Sequence, residues 1–268
     1  MHYIVHTSFE NFERLKGSFI VYGNDYSTLM RRQKRFGNRI IGLIYTGPIQ
    51  IVDQLPVCQL IINLDTTVEP ELKVVLHKLQ PERVSFTISK SQNTLPKIIE
   101  LSPFPFQFDL SLILEHLDQE TLTEIMEHYL REPANQLIVQ PFHAILDALL
   151  HKKTINLWDV LWADPQRYRQ IDGTKVVIPL GNDSFKYIGE YRDHKFEWTS
   201  EGKQLQKRRL HSFVEDDTCQ QCPFFFICGG CIRTIYGSCN NWSYVLDQLQ
   251  KTIRQINSYF LQKKMDVK

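Results

Sequence analysis

The stretch TCQQCPFFFICGGCIRTIYGSCN, residues 218–240, decides how this chain is read. It holds Cys219, Cys222, Cys228, Cys231 and Cys239, five of the six cysteines, whereas the preceding residues contain only Cys58. Two C-x2-C pairs close together let two thiolates in each pair reach one ion or cluster without a long loop closure. Soft sulfur ligands select zinc or iron-sulfur over magnesium or calcium. All five are therefore candidate metal ligands. The competing reading is a disulfide-stapled tail, which needs an oxidising compartment. The first residues, MHYIVHTSFENFERLKGSF, show neither the basic start and long apolar run nor the cleavage pattern of an exported chain. A cytoplasmic protein with reduced thiols is the expectation.

The composition points the same way. The chain has 268 residues, 43% of them hydrophobic and 23% charged, which is ordinary for a soluble globular protein and enough for one large domain or two modest ones. A formal net charge of +1 disfavours a dedicated nucleic-acid binder. No window approaches the roughly 18 apolar residues of a membrane span.

Working back from the cysteines, Thr174 to Leu180 and Ser184 to Tyr191 read as two strands joined by Gly181-Asn182-Asp183, a hairpin turn. Lys203 to Phe213 reads as a short basic helix. Beyond the cysteines, Val245, Leu246, Leu249, Ile253, Ile256 and Phe260 make an apolar stripe on a terminal helix from Ser243 to Gln262. The N-terminal part alternates strand-length runs with helix-like segments. Tyr3–Thr7, Phe19–Tyr22, Ile40–Tyr45, Gln59–Leu64 and Arg83–Ser89 are rich in Ile, Val, Phe and Tyr. Between the last two, Val68, Leu72, Val75, Leu76 and Leu79 recur at helical spacing, with Thr66 or Thr67 as cap, so a βαβ unit with a parallel pair is expected. Lys97–Leu101 and Phe106–Leu110 add strands to this reading. Residues 110–131 turn helical, in two pieces joined near Asp118; Leu137–Gln140 is a strand, and AILDALLHKK a helix. The expected fold class is α/β, with a boundary at about residue 165 separating domains 1–165 and 166–268.

The C-terminal third resembles the SPASM domain, the auxiliary-cluster module of many radical SAM enzymes that modify ribosomally made peptides. Asp172-Gly173, the hairpin TKVVIPLGNDSFKYIGEY, C-x2-C-x5-C at Cys219, Cys222 and Cys228, then Gly229-Gly230-Cys231 and Cys239 carry the likeness over about residues 172–245. The chain departs from the family in three ways. Val176 to Trp198 has no cysteine for a first cluster. Cys228 and Cys231 are two residues apart where the family usually has three. Residues 1–218 offer only Cys58, so the C-x3-C-x2-C loop of radical SAM catalysis is missing.

The resemblance implies one 4Fe-4S cluster, or zinc, on Cys219, Cys222, Cys228 and Cys239, with Cys231 a spare ligand or a competitor for Cys239. It implies no bound S-adenosylmethionine and a reduced, partial βα-barrel-like N-terminal domain without catalysis of its own. The chain is thus similar to pseudo-radical-SAM and stand-alone SPASM accessory proteins, whose partners are a precursor peptide and a peptide-modifying enzyme, either an ATP-grasp ligase or a radical SAM maturase. The alternatives are a redox-active iron-sulfur maturase or electron-transfer partner, and a zinc-dependent binding module.

Weaker candidates are the i, i+4 pair Glu124 and His128, which lacks a partner motif, His143 near a strand end, and the basic run Lys203, Lys207, Arg208 and Arg209, which could meet an acidic leader peptide. No Gly-rich phosphate loop is present, so nucleotide binding by this chain alone is not expected.

Overall fold

The computed structural model describes all residues except 11, 49–54, 66–75, 91–92, 133, 154, 182–183, 193–194, 212–216 and 267–268. Seven strands follow in chain order: β1 (His2–His6), β2 (Ser18–Gly23), β3 (Ile40–Tyr45), β4 (Gln59–Asn63), β5 (Val84–Thr87), β6 (Gln107–Asp109) and β7 (Ile138–Gln140). Each lies parallel beside the one before it. Parallel neighbours require crossover connections, which carry helices onto one face of the sheet. Those described are α1 (Tyr26–Phe36), α2 (Thr94–Leu101), α3 (Gln119–Arg131) and α4 (Phe142–His151). The helix expected between β4 and β5 falls largely outside the described residues.

After the short α5 (Leu157–Val160), the chain returns to the start of the sheet. β8 (Tyr168–Asp172) pairs in parallel with β1 on its free side, His2 opposite Tyr168. β9 (Lys175–Gly181), β10 (Ser184–Arg192) and β11 (Lys195–Trp198) then extend the sheet antiparallel, so one eleven-stranded sheet runs β11-β10-β9-β8-β1-β2-β3-β4-β5-β6-β7. The fold is α/β with a large, mostly parallel sheet. The boundary expected at about residue 165 lies in the turn leading into β8, and main-chain hydrogen bonds from β8 to β1 bridge it.

The two faces of the sheet differ in chemistry, as strand alternation allows. Val5, Val21, Leu43, Leu60, Ile62, Val84, Phe86, Phe108 and Val139 point to the helix side and are fully buried. Each such Val, Leu or Phe contributes about 1.5–3 kcal/mol of burial. Their neighbours Ile4, Tyr22, Ile44, Ile61, Asn63, Thr87, Asp109 and Gln170 point the other way and all border one shared cavity, Ile61 and Asp109 bordering a second as well. Because residues from β1 to β6 and from β8 all line it, the sheet curves around that space.

Local signals place the helices. Asp25 caps α1, accepting from the amides of Ser27 at 3.0 Å and Thr28 at 3.3 Å. Asp118 caps α3 through the Thr121 amide at 2.8 Å, which separates α3 from the 3-10 turn Leu114–His116, as the two-piece reading expected. One expectation fails. Lys97–Leu101 is not a strand but the end of α2, because Thr94, Lys97, Ile98 and Leu101, spaced three or four apart, form the buried face. The remaining helices are α6 (Ser200–His211), α7 (Asp217–Gln220), α8 (Phe225–Cys228), α9 (Cys231–Tyr236) and α10 (Asn240–Asp266). Val245, Leu246, Leu249 and Ile253 are the buried stripe of α10, as their spacing required.

Candidate functional site

The cysteine segment is a run of single helical turns. Cys219 lies in α7, and the Cys222 amide donates to the Cys219 carbonyl at 3.2 Å. Cys228 ends α8. Gly229 and Gly230 follow at φ 56° and 73°, left-handed values that glycine adopts without a Cβ penalty, and reverse the chain into α9. Cys231 opens α9. Cys239 precedes α10, and the Ser243 hydroxyl lies 3.6 Å from its sulfur.

No disulfide joins any two of the six cysteines. Burial pushes the Cys228 thiol up to about 11; the amides of Ile232 and Gly230 donate to its sulfur and oppose this, while Cys219 and Cys239 add to it. Cys228 therefore shares its surroundings with Cys219 and Cys239. Cys231, fully buried, lies within electrostatic reach of Tyr236. Among the described residues, no three His, Cys, Asp or Glu side chains stand close enough together to enclose a metal ion. The amides directed at the Cys228 sulfur favour its ionised form, as donors do beside a metal-bound thiolate. In the aromatic run between the cysteine pairs, Phe224 is buried, whereas Phe226 is 58% exposed.

The segment is laced to the body at several points. The Trp158 indole donates to the Gly229 carbonyl at 3.5 Å, and Lys186 to the Thr234 carbonyl at 3.1 Å. The Tyr236 hydroxyl donates to the Ser111 carbonyl at 3.4 Å. Glu115 accepts from the Ser238 hydroxyl at 2.6 Å and the Asn240 amide at 3.0 Å, and the Asn241 side chain donates to the carbonyls of Leu114 and Leu117. The anchor on the sheet side is thus the turn that follows β6.

That turn also borders the cavity. The space, of about 320 Å³, opens at the C-terminal ends of the parallel strands. Asn63, Thr87, Ser89, Asp109 and Ser111 supply its polar rim. Around them, Asp65 accepts from the amides of Ser89 and Lys90, both at 3.1 Å, and Asn63 donates to the Ser89 hydroxyl at 3.2 Å. Lys97 reaches the Leu64 carbonyl from the helix layer. Asp109 accepts from the Ser111 amide at 2.8 Å, and burial holds its carboxyl above the usual carboxylate range, against the pull of Ser111. Behind Ile61, Asp109 and Trp162 a second cavity, of about 450 Å³, opens towards the N-terminal strand ends. Trp162 has φ 50°, unusual for a bulky residue.

The other candidates stay apart from these features. Glu124 is exposed, and His128 is half-buried with Nε2 unpartnered. His143 is exposed, its ring 3.4 Å from the Tyr129 hydroxyl. Lys203 and Lys207 are exposed; the side chains of Arg208 and Arg209 lie outside the description. Cys58 is half-buried beside α1, within 3.6 Å of the Gln33 side chain, and its thiol is pushed up by burial. The sequence did not single out Asp109, Trp162 or Tyr22. The available signal was alternation: Asp109 sits between buried Phe108 and Leu110, the position of a side chain turned to the opposite face.

The fold and site define an α/β protein with a cavity at the C-terminal edge of its sheet and a thiol-rich segment fastened beside it. Comparison with protein-family models, with curated proteins and with solved structures finds no match.

Proposed function

We propose that this chain is an accessory protein of ribosomal peptide modification. On this reading it combines a degenerate, partial βα-barrel-like half with a SPASM-like segment, binds the precursor peptide, the modifying enzyme or both, and leaves the chemistry to that enzyme. Cys219, Cys222, Cys228 and Cys239 would hold one 4Fe-4S cluster or a zinc ion. Four thiolates leave no open position on the metal, so such a centre stabilises the fold or carries an electron.

The observation that carries the reading is the link between cysteine segment and cavity. Tyr236 ends the helix opened by Cys231 and donates to Ser111, a residue of the cavity wall. Metal binding in the segment would therefore brace a ligand-sized space whose described lining contains no cysteine. Metal and sulfide analysis of protein purified without oxygen is the first test. About four irons and four sulfides per chain support a cluster, and one zinc supports a structural clip. Neither metal at stoichiometric level overturns the metal assignment. Modification of a precursor peptide by this chain alone overturns the accessory role.

A further inference from the structure

We propose that the cavity at the C-terminal strand ends receives a positively charged side chain, the ammonium of lysine or the guanidinium of arginine on a peptide, with Asp109 as its counter-charge. The described lining is apolar or neutral apart from two groups, Tyr22 and Asp109, and includes no Lys, Arg or His. An anion such as phosphate or carboxylate would meet no opposite charge there. A cation would meet Asp109, for which no ion-pair partner appears among the described residues; its one amide contact is Ser111, at Oδ1. The groups that share the surroundings of Tyr236 with it, Cys231 and Glu115, supply no positive charge either, and the His116 ring stands edge-on to Tyr236, outside the cavity lining.

Shape and aromatic content agree with this chemistry. A space of about 320 Å³ is at the small end of ligand pockets, suited to one long side chain. Tyr22, Trp162 and Phe185 contribute rings to its wall, and aromatic faces attract ammonium and guanidinium groups. Trp162 keeps a left-handed backbone, and such outliers cluster at ligand sites, where the surroundings over-determine them. Neutral acceptors at Asn63, Thr87 and Gln170 can take the remaining N–H groups of the bound cation.

The identity of the carrier as a peptide rests on the accessory reading; the charge preference of the cavity does not. The test is calorimetric titration of the full chain, purified without oxygen, with Nα-acetyl-lysine amide, Nα-acetyl-arginine amide, Nα-acetyl-norleucine amide and n-butylamine. The lysine or arginine probe should bind saturably and at least about tenfold more tightly than norleucine, since a charge-assisted contact is worth that factor or more. Asp109→Asn should reduce this preference to near unity. Gln170→Lys, which tethers an ammonium across the cavity, should abolish probe binding while norleucine gains nothing. Equal affinity for norleucine, a preference that survives Asp109→Asn, or no saturable binding by either cationic probe would overturn the proposal. Equal binding of n-butylamine would overturn the peptide-borne part. Cation binding with no effect on any modifying enzyme would refute the accessory role and leave the cavity assignment standing.

Discussion

Asp109 and Asp25 are two carboxylates that the fold treats in opposite ways. Burial raises the Asp109 pKa above its unfolded value of about 3.9, so its favourable contribution is complete below about pH 4 and is lost as pH rises through the folded value. Asp109→Asn keeps the shape and removes the charge. The variant should melt higher than the parent at pH 8, with the difference vanishing near pH 4; an equal difference at both values in circular-dichroism melts would refute this. Tyr236 on the cysteine segment and Glu115 in the turn after β6 are common to both proteins. Asp25 is held down, to about 2, by the hydroxyls of Thr28 and Ser27 and their amides. Its contribution is present above about pH 4 and is lost as pH falls through about 2. Asp25→Ala should lower the melting temperature at pH 7 and leave less difference in acid.

Helices and strands show where physical signals agreed and where they competed. The N-terminal strands were legible because β-branched and aromatic residues crowd into short runs, and Asp118 marked the start of α3. β8 was not legible. Of YRQID only Ile171 is buried, and the cavity-facing strand reads as a polar linker. KIIEL at 97–101 misled in the opposite sense, since adjacent isoleucines mimic a strand while one of them, Ile99, is 49% exposed on a helix. Packing of α6 on β10 depends on Gly202, where an added Cβ would run into the Ile188 carbonyl and come within 2.8 Å of the Trp198 ring. Alanine in a helix interior normally gains about 1 kcal/mol over glycine. Gly202→Ala should nonetheless lower stability, because backbone must shift to admit it; a higher denaturation midpoint would show that α6 is free to move.

For the whole molecule, β8 binds the two ends of the chain into one sheet. A fragment of residues 166–268 would leave the β8 edge without His2 to Val5 and should not fold alone, which far-ultraviolet circular dichroism and limited proteolysis can check. The metal-type spacing of the cysteines was legible from sequence; the placement of their segment against the turn after β6 was not, because it depends on contacts such as Asn241 to Leu114 and Leu117, more than a hundred residues away. On the proposed metal-binding reading, the double variant Cys219→Ala, Cys222→Ala should bind less metal and melt lower, since metal binding to such sites is coupled to folding. Unchanged metal content with unchanged melting would refute that coupling.

Trp162, with Ile61 and Asp109, stands between the two cavities. These three side chains form the floor of the first cavity, with the second on their far side. An enzyme docked over the C-terminal strand ends, where the first cavity opens, would slow arrival and departure there together. It would lengthen residence without altering the strength of any contact inside.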